Sequence, residues 1–200
     1  MRGAAGGGHA PRSDPAVTDR PALADWAWRP VAWSRPLGGM QGPIAPGGQV
    51  LAPGCTLFHD DRADAVALHQ RATPEGPTAF ALELTLSAFA GSYLSFAIDL
   101  PRDAATTLTR SHVLRIDAVA QGADALFARL NLRHGPDTDA LTDRLRPEGA
   151  GLRTELDLGF TPLAAGGVTA AWVDLSLSPT TELSVTLTDL VLTRRPRAEL

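Results

Sequence analysis

The sequence predicts an all-β chain, a two-sheet antiparallel sandwich of jelly-roll type, and three observations carry that prediction. Eight or nine short runs alternate apolar and polar residues with a period of two, the pattern of strands with one face on a core. Glycine and proline punctuate those runs at short intervals. No stretch carries the three-to-four-residue apolar repeat of a long amphipathic helix.

Residues 1–20 are rich in Gly, Ala, Pro and Arg and offer almost nothing to bury, so they read as a disordered N-terminal tail. Residues 21–54 form a Trp/Pro/Gly-rich arm and loop. Trp26, Trp28 and Trp33 carry too much apolar surface to leave in water. The arm therefore docks on the domain, or presents its indoles as a platform for a sugar or peptide. Residues 37–54, dense in glycine and proline, read as loop.

Residues 55–197 form the sandwich. Val66, Leu68 and Gln70 mark one strand; Phe80, Leu82, Leu84 and Leu86 mark the clearest. Leu94, Phe96 and Ile98 give a third, ended by Pro101, and Leu114, Ile116 and Ala118 a fourth. In Leu126–Pro136, Ala128, Leu130 and Leu132 alternate with Phe127, Arg129, Asn131 and Arg133. His134-Gly135-Pro136 then stops the run, because glycine permits positive φ and proline cannot donate to a ladder. This reads as a middle strand. Over 137–146, Leu141 and Leu145 fit a helical turn and a short strand equally well. Leu152 to Leu158 and Val173 to Leu177 add two more strands. In the last, Leu183, Val185 and Leu187 change phase before Leu190 and Leu192, as a β-bulge makes them do.

Composition narrows the function. Apolar residues make up 44% of the chain, ordinary for a globular domain, and the net charge is −4. All 18 basic residues are arginine, a pattern expected of bidentate anion contacts or of a GC-rich coding bias. No basic cluster exceeds the tail RRPR, which argues against nucleic acid as a partner. No apolar run approaches the roughly 20 residues of a membrane span, and the N-terminus lacks a secretion signal, so a cytoplasmic location is expected. Cys55 is the single cysteine and has no partner for an internal disulfide.

The segments FHD (58–60), SYLSFAIDLP (92–101), RLNLRHGP (129–136), WVDL (172–175) and VTLTDLVLTRRPR (185–197) resemble a bacterial family, domain of unknown function 6478. The likeness covers about residues 26–197, and RLN-x-x-HGP is its most specific part. It implies no activity and transfers no catalytic residue. The strand order and the late W-x-D-L and D-L-x-L strands are also similar to galactose-binding-like jelly rolls, a fold that hosts many binding domains.

Few groups point to chemistry. His59-Asp60-Asp61 with Asp64 offers imidazole and carboxylate, but the spacing matches no metal motif, and no metal is expected. No nucleophile elbow, phosphate loop or dinucleotide motif is present, so no cofactor is expected either. Asp is a poor strand residue, yet it recurs in IDL, LDL, VDL and TDL at Asp99, Asp157, Asp174 and Asp189. The alternation puts Tyr93, Asp99, Arg115, Asp117, Arg129, Asn131, Arg133, Asp157, Trp172 and Asp174 on the non-core side. Such a set makes Asp–Arg ladders, underlies the tryptophan arm, or binds a hydroxyl-rich or anionic ligand. The reading adopted is a non-catalytic binding or interaction module with a carbohydrate or glycoconjugate as first ligand. Arg129, Asn131, Arg133, Trp172, Asp174 and Tyr93 are its ligand-binding residues. The alternatives are a hydrolase using His59 or His134 with a neighbouring Asp, and an adaptor domain with a protein partner.

Overall fold

A computed structural model describes residues 12–14, 17, 20–38, 42–76, 78–163 and 167–198. In chain order the strands are β1 (Trp26–Trp28), β2 (Gly42–Pro43), β3 (Gly47–Ala52), β4 (Cys55–His59), β5 (Val66–Ala72), β6 (Phe80–Leu86) and β7 (Leu94–Asp99). They continue as β8 (His112–Gln121), β9 (Leu126–His134), β10 (Asp137–Arg144), β11 (Arg146–Glu148), β12 (Gly151–Asp157), β13 (Ala170–Leu177) and β14 (Leu183–Pro196). Two short helices, α1 (Val31–Ser34) and α2 (Arg102–Thr106), lie between strands.

The strands pair antiparallel into two sheets. The larger runs β11-β12-β8-β14-β6-β5-β2, with β1 joined to β14; the smaller runs β10-β9-β13-β7-β4-β3. From β4 onward the chain crosses between sheets every one or two strands, which gives the jelly-roll sandwich that the alternation predicts. Leu82, Leu84, Leu114, Ile116, Leu187 and Leu192 of the larger sheet are buried with Leu57, Phe96, Ile98, Leu130, Val173 and Leu175 of the smaller in one core cluster. Each such side chain contributes about 1.5–3 kcal/mol by leaving water. Strand β9 is indeed interior, flanked by β10 and β13. Gly135, at φ +57°, turns it into β10, so residues 137–144 resolve as strand. The predicted bulge falls between Leu187 and Asp189.

The arm docks on the larger sheet. Trp26 is 1% exposed and Trp33 is fully buried, with its indole N–H donating to the Leu187 carbonyl at 3.1 Å. Trp26 stacks on Trp28 with ring centroids 6.2 Å apart. Buried Arg194 fixes the entry to the arm with a two-point contact to Asp25, both at 2.9 Å, and a third bond to Thr107 at 2.7 Å. One expectation needs correction. Residues 47–52 form β3, because pairing with β4 supplies the hydrogen bonds that a Gly/Pro-rich sequence does not advertise. Within the expected tail, the carbonyl of Arg12 accepts from the Trp26 indole, the Asp14 N–H donates to the Ala27 carbonyl, and Val17 is buried. The rest of that tail expectation, residues 1–11, 15–16 and 18–19, lies outside the described residues. Among the described residues no helix is long and apolar enough to cross a membrane.

Candidate functional site

Alternation separates inside from outside, but pairing decides which outside. The non-core set divides between two faces. Arg115, Asp117 and Asp157 point outward from the larger sheet, where opposite charges meet. Asp117 takes Arg115 at 2.6 Å and Arg153 at 2.7 Å, Arg153 also pairs with Glu148, Arg195 pairs with Glu155 at 2.8 Å, and Arg197 with Asp157 at 2.9 Å. Arg29 of the arm grips Asp189 at 2.8 Å. The ionic ladder and the docked arm thus share this sheet.

The outer face of the smaller sheet is different. Registers place Arg129 and Asn131 of β9 beside Asp174 and Trp172 of β13, and Trp172 and Asp174 beside Asp99 and Ala97 of β7. Thr56 of β4 follows Ala97 in the next row. Small side chains at Ala97, Ala170 and Thr56 leave a cleft of about 440 Å³ between larger neighbours Trp172, Arg133 and Phe58. Asp99 and Asp174 supply its carboxylates. The Phe58 ring lies over Gly48, where any Cβ would come within 2.4 Å of the ring, so glycine is what lets the ring lie flat on β3.

Of the expected binding residues, Arg133, Trp172 and Asp174 line this cleft. Asn131 faces outward, yet it is only 4% exposed. Its amide sits between two charges: Nδ2 donates to Asp174 Oδ2 at 2.8 Å, and Oδ1 accepts from Arg129 Nε at 3.1 Å. Although Arg129 and Asp174 are cross-strand neighbours, this insertion keeps them from forming an ion pair. Arg133 lays its guanidinium over the Trp172 ring, 5.4 Å from the centroid. Tyr93 is 45% exposed but lies before the start of β7, away from the cleft. Asp99, Thr56 and Phe58 complete the cleft and were absent from the binding residues chosen by sequence. The outward phase of β4, Thr56 and Phe58 against Cys55, Leu57 and His59, was the signal for two of them.

The groups that invited an enzymatic reading are occupied elsewhere. His59 is fully buried; its Nε2 donates to the Ile44 carbonyl at 3.1 Å and its Nδ1 accepts the Asp61 N–H at 3.3 Å, so neither nitrogen is open to a substrate. His134 donates to Asp139 at 2.8 Å, and no hydroxyl or thiol bonds its ring among the described residues. Burial, reinforced by the nearby Asp99 charge, pushes the Cys55 thiol up to about 12, leaving it unreactive at neutral pH. Asp60 and Asp61 staple loops: Asp60 accepts from the Ser92 hydroxyl at 2.5 Å and the Ser92 and Tyr93 N–H groups, and Asp61 from the Ala90 N–H at 2.6 Å. The Ser92 hydroxyl for Asp60, and the Ala90 N–H for Asp61, hold both below the ordinary carboxylate range.

Among solved structures, the chain is similar to the enzymatically active domain of tailspike protein 4 of bacteriophage CBA120. The identity is 10% and the TM-score 0.45, over 69% of this chain and 19% of that one. It is similar to the family 11 carbohydrate-binding module of the Clostridium thermocellum cellulase Lic26A-Cel5E, at 9% identity and TM-score 0.46, over 78% and 99%. It is also similar to the CBM22-1 xylan-binding domain of Paenibacillus barcinonensis Xyn10C, at 13% identity and TM-score 0.43, over 78% and 100%. No curated protein matches the sequence significantly. The sequence model of a family of unknown function, DUF6478, matches residues 4–200. The protein belongs to the DUF6478 family.

Proposed function

We propose that this protein is a non-catalytic binding module whose ligand, a carbohydrate or glycoconjugate, lies on the outer face of the smaller sheet. One observation carries the reading. Ion pairs lace the outer face of the larger sheet, whereas none among the described residues involves an outward residue of the smaller one, though Arg129, Arg133, Asp99 and Asp174 all stand there. Arg129 and Asp174 spend one atom each on Asn131, and charges that neighbour one another without pairing keep the rest of their hydrogen-bonding capacity for something else. Trp172 adds a ring for stacking, and the strands hold the constellation rigidly. Trp172 and Phe58 are two strands and four residues apart in register, on the order of 16 Å, enough for a short run of linked sugar rings. Affinity electrophoresis of the full chain through a panel of soluble polysaccharides tests the proposal. Retardation by at least one of them, reduced by at least about tenfold in affinity in Trp172→Ala, is the expected result. A well-folded protein that no polysaccharide retards contradicts it.

A further inference from the structure

On the outer face that holds this cleft the charges are sorted by strand. The guanidinium groups of Arg129 and Arg133 rise from β9, while the carboxylates of Asp174 and Asp99 rise from β13 and β7, with Trp172 between Arg133 and Asp99. Arg133 is unusual among the arginines. It lies in the cleft and contacts the Trp172 ring, but no carboxylate or carbonyl accepts from its side chain among the described residues. Its backbone is pinned, since the carbonyl accepts from both the N–H and the hydroxyl of Thr169, at 2.8 and 3.1 Å. The guanidinium lies over the ring, and its donors suit a planar, two-oxygen acceptor.

Building on the proposed carbohydrate reading, we infer that the cleft selects acidic sugars, and that Arg133 is the specificity-determining residue. A uronic-acid carboxylate takes the Arg133 fork beside Trp172, while hydroxyl groups of the same or the next ring donate to Asp99 and Asp174. The two carboxylates on the far side disfavour a second acidic group there, so the arrangement fits a chain whose acid groups all project toward β9. Arg129, held through Asn131, extends the basic side along that strand.

The test uses the intact protein and a panel of uronic-acid oligosaccharides, each paired with its uncharged methyl ester, with affinities measured by titration calorimetry. The wild type should bind acids at least about tenfold more tightly than the matched esters, and added salt should shrink that ratio. Arg133→Gln should bring the ratio to about one, and Arg133→Lys should restore only part of it, because an ammonium lacks the fork. Equal affinity of the wild type for acid and ester overturns the charge selection and leaves the carbohydrate reading standing. An unchanged acid preference in Arg133→Gln overturns the assignment of that preference to Arg133. If the folded wild type binds no saccharide of either set, the inference falls, and the carbohydrate reading falls with it only if no polysaccharide of the electrophoresis panel retards the protein.

Discussion

Leu130 and Asn131 are chain neighbours on opposite faces of β9, and their contrasting surroundings fix what each substitution does. Leu130 is fully buried, so Leu130→Ala removes methyl groups and leaves a partial cavity, at a cost of about 2–5 kcal/mol in chemical denaturation. Asn131 bridges Arg129 and Asp174 by hydrogen bonds, and Asn131→Ala should cost about 1–3 kcal/mol while letting the two charges approach each other. Alternation alone placed Asn131 outside; its burial was illegible, because it depends on which residues the adjoining strands bring beside it. Cys55 gives a pH prediction. Its folded pKa is raised, from 9.0 to about 12, so the stability it contributes is full below pH 9 and is lost as pH rises toward 12. Wild type should therefore lose stability relative to Cys55→Ala above pH 9, with a limiting slope of about 1.4 kcal/mol per pH unit. Parallel stability curves for the two proteins between pH 8 and 11 would count against a buried thiol.

At the scale of elements, the arm behaves as part of the larger sheet. Deleting residues 1–20 removes the Arg12–Trp26 and Asp14–Ala27 bonds and buried Val17, and should lower Tm by a few degrees. Deleting through Trp33 strips two buried indoles from the core and should abolish cooperative unfolding. Equal Tm values for the two deletions would show that the indoles do not hold the sheet. His112 stands beside the Asp25–Arg194 contact at the arm's entry, with Nε2 3.9 Å from Asp25. Burial, and then the Arg194 charge, lowers its pKa. A lowered pKa means that the unfolded chain binds the proton more readily, so stability is full above about pH 6.5 and is lost as pH falls below it. His112→Gln should flatten that part of the pH–stability curve. Element legibility followed apolar phase. Strands with leucine on one face were plain, whereas β10 was ambiguous because its half-buried positions include Asp139 and Asp143. Those residues are satisfied by His134, and by Arg146 and Thr154, rather than by apolar contact. β3 was hidden by its glycines, of which Gly48 lies against the Phe58 ring.

For the whole molecule, the two outer faces differ in whether their neighbouring charges pair, and the proposed function assigns them the two roles that the sequence presents as alternatives. The repeated Asp-Leu tripeptides show the division. Asp189 secures Arg29, and Asp157 bonds the Gly159 N–H and pairs with Arg197, all in support of the larger sheet. Asp99 and Asp174 stand in the cleft without an ionic partner among the described residues. Sequence pattern could tell that all four point outward or flank the strands, but not which sheet each belongs to, since strand order is set by long-range pairing. Under the proposed function, only the smaller sheet's outer face binds ligand. The most direct measurement compares, for the polysaccharide the wild type binds best, the affinities of Trp172→Ala and Arg115→Ala, each checked for an intact fold by circular dichroism. The account predicts that Trp172→Ala loses at least about tenfold in affinity while Arg115→Ala stays within about twofold of wild type. Binding that survives in Trp172→Ala and disappears in Arg115→Ala would place the ligand on the opposite sheet and contradict the account.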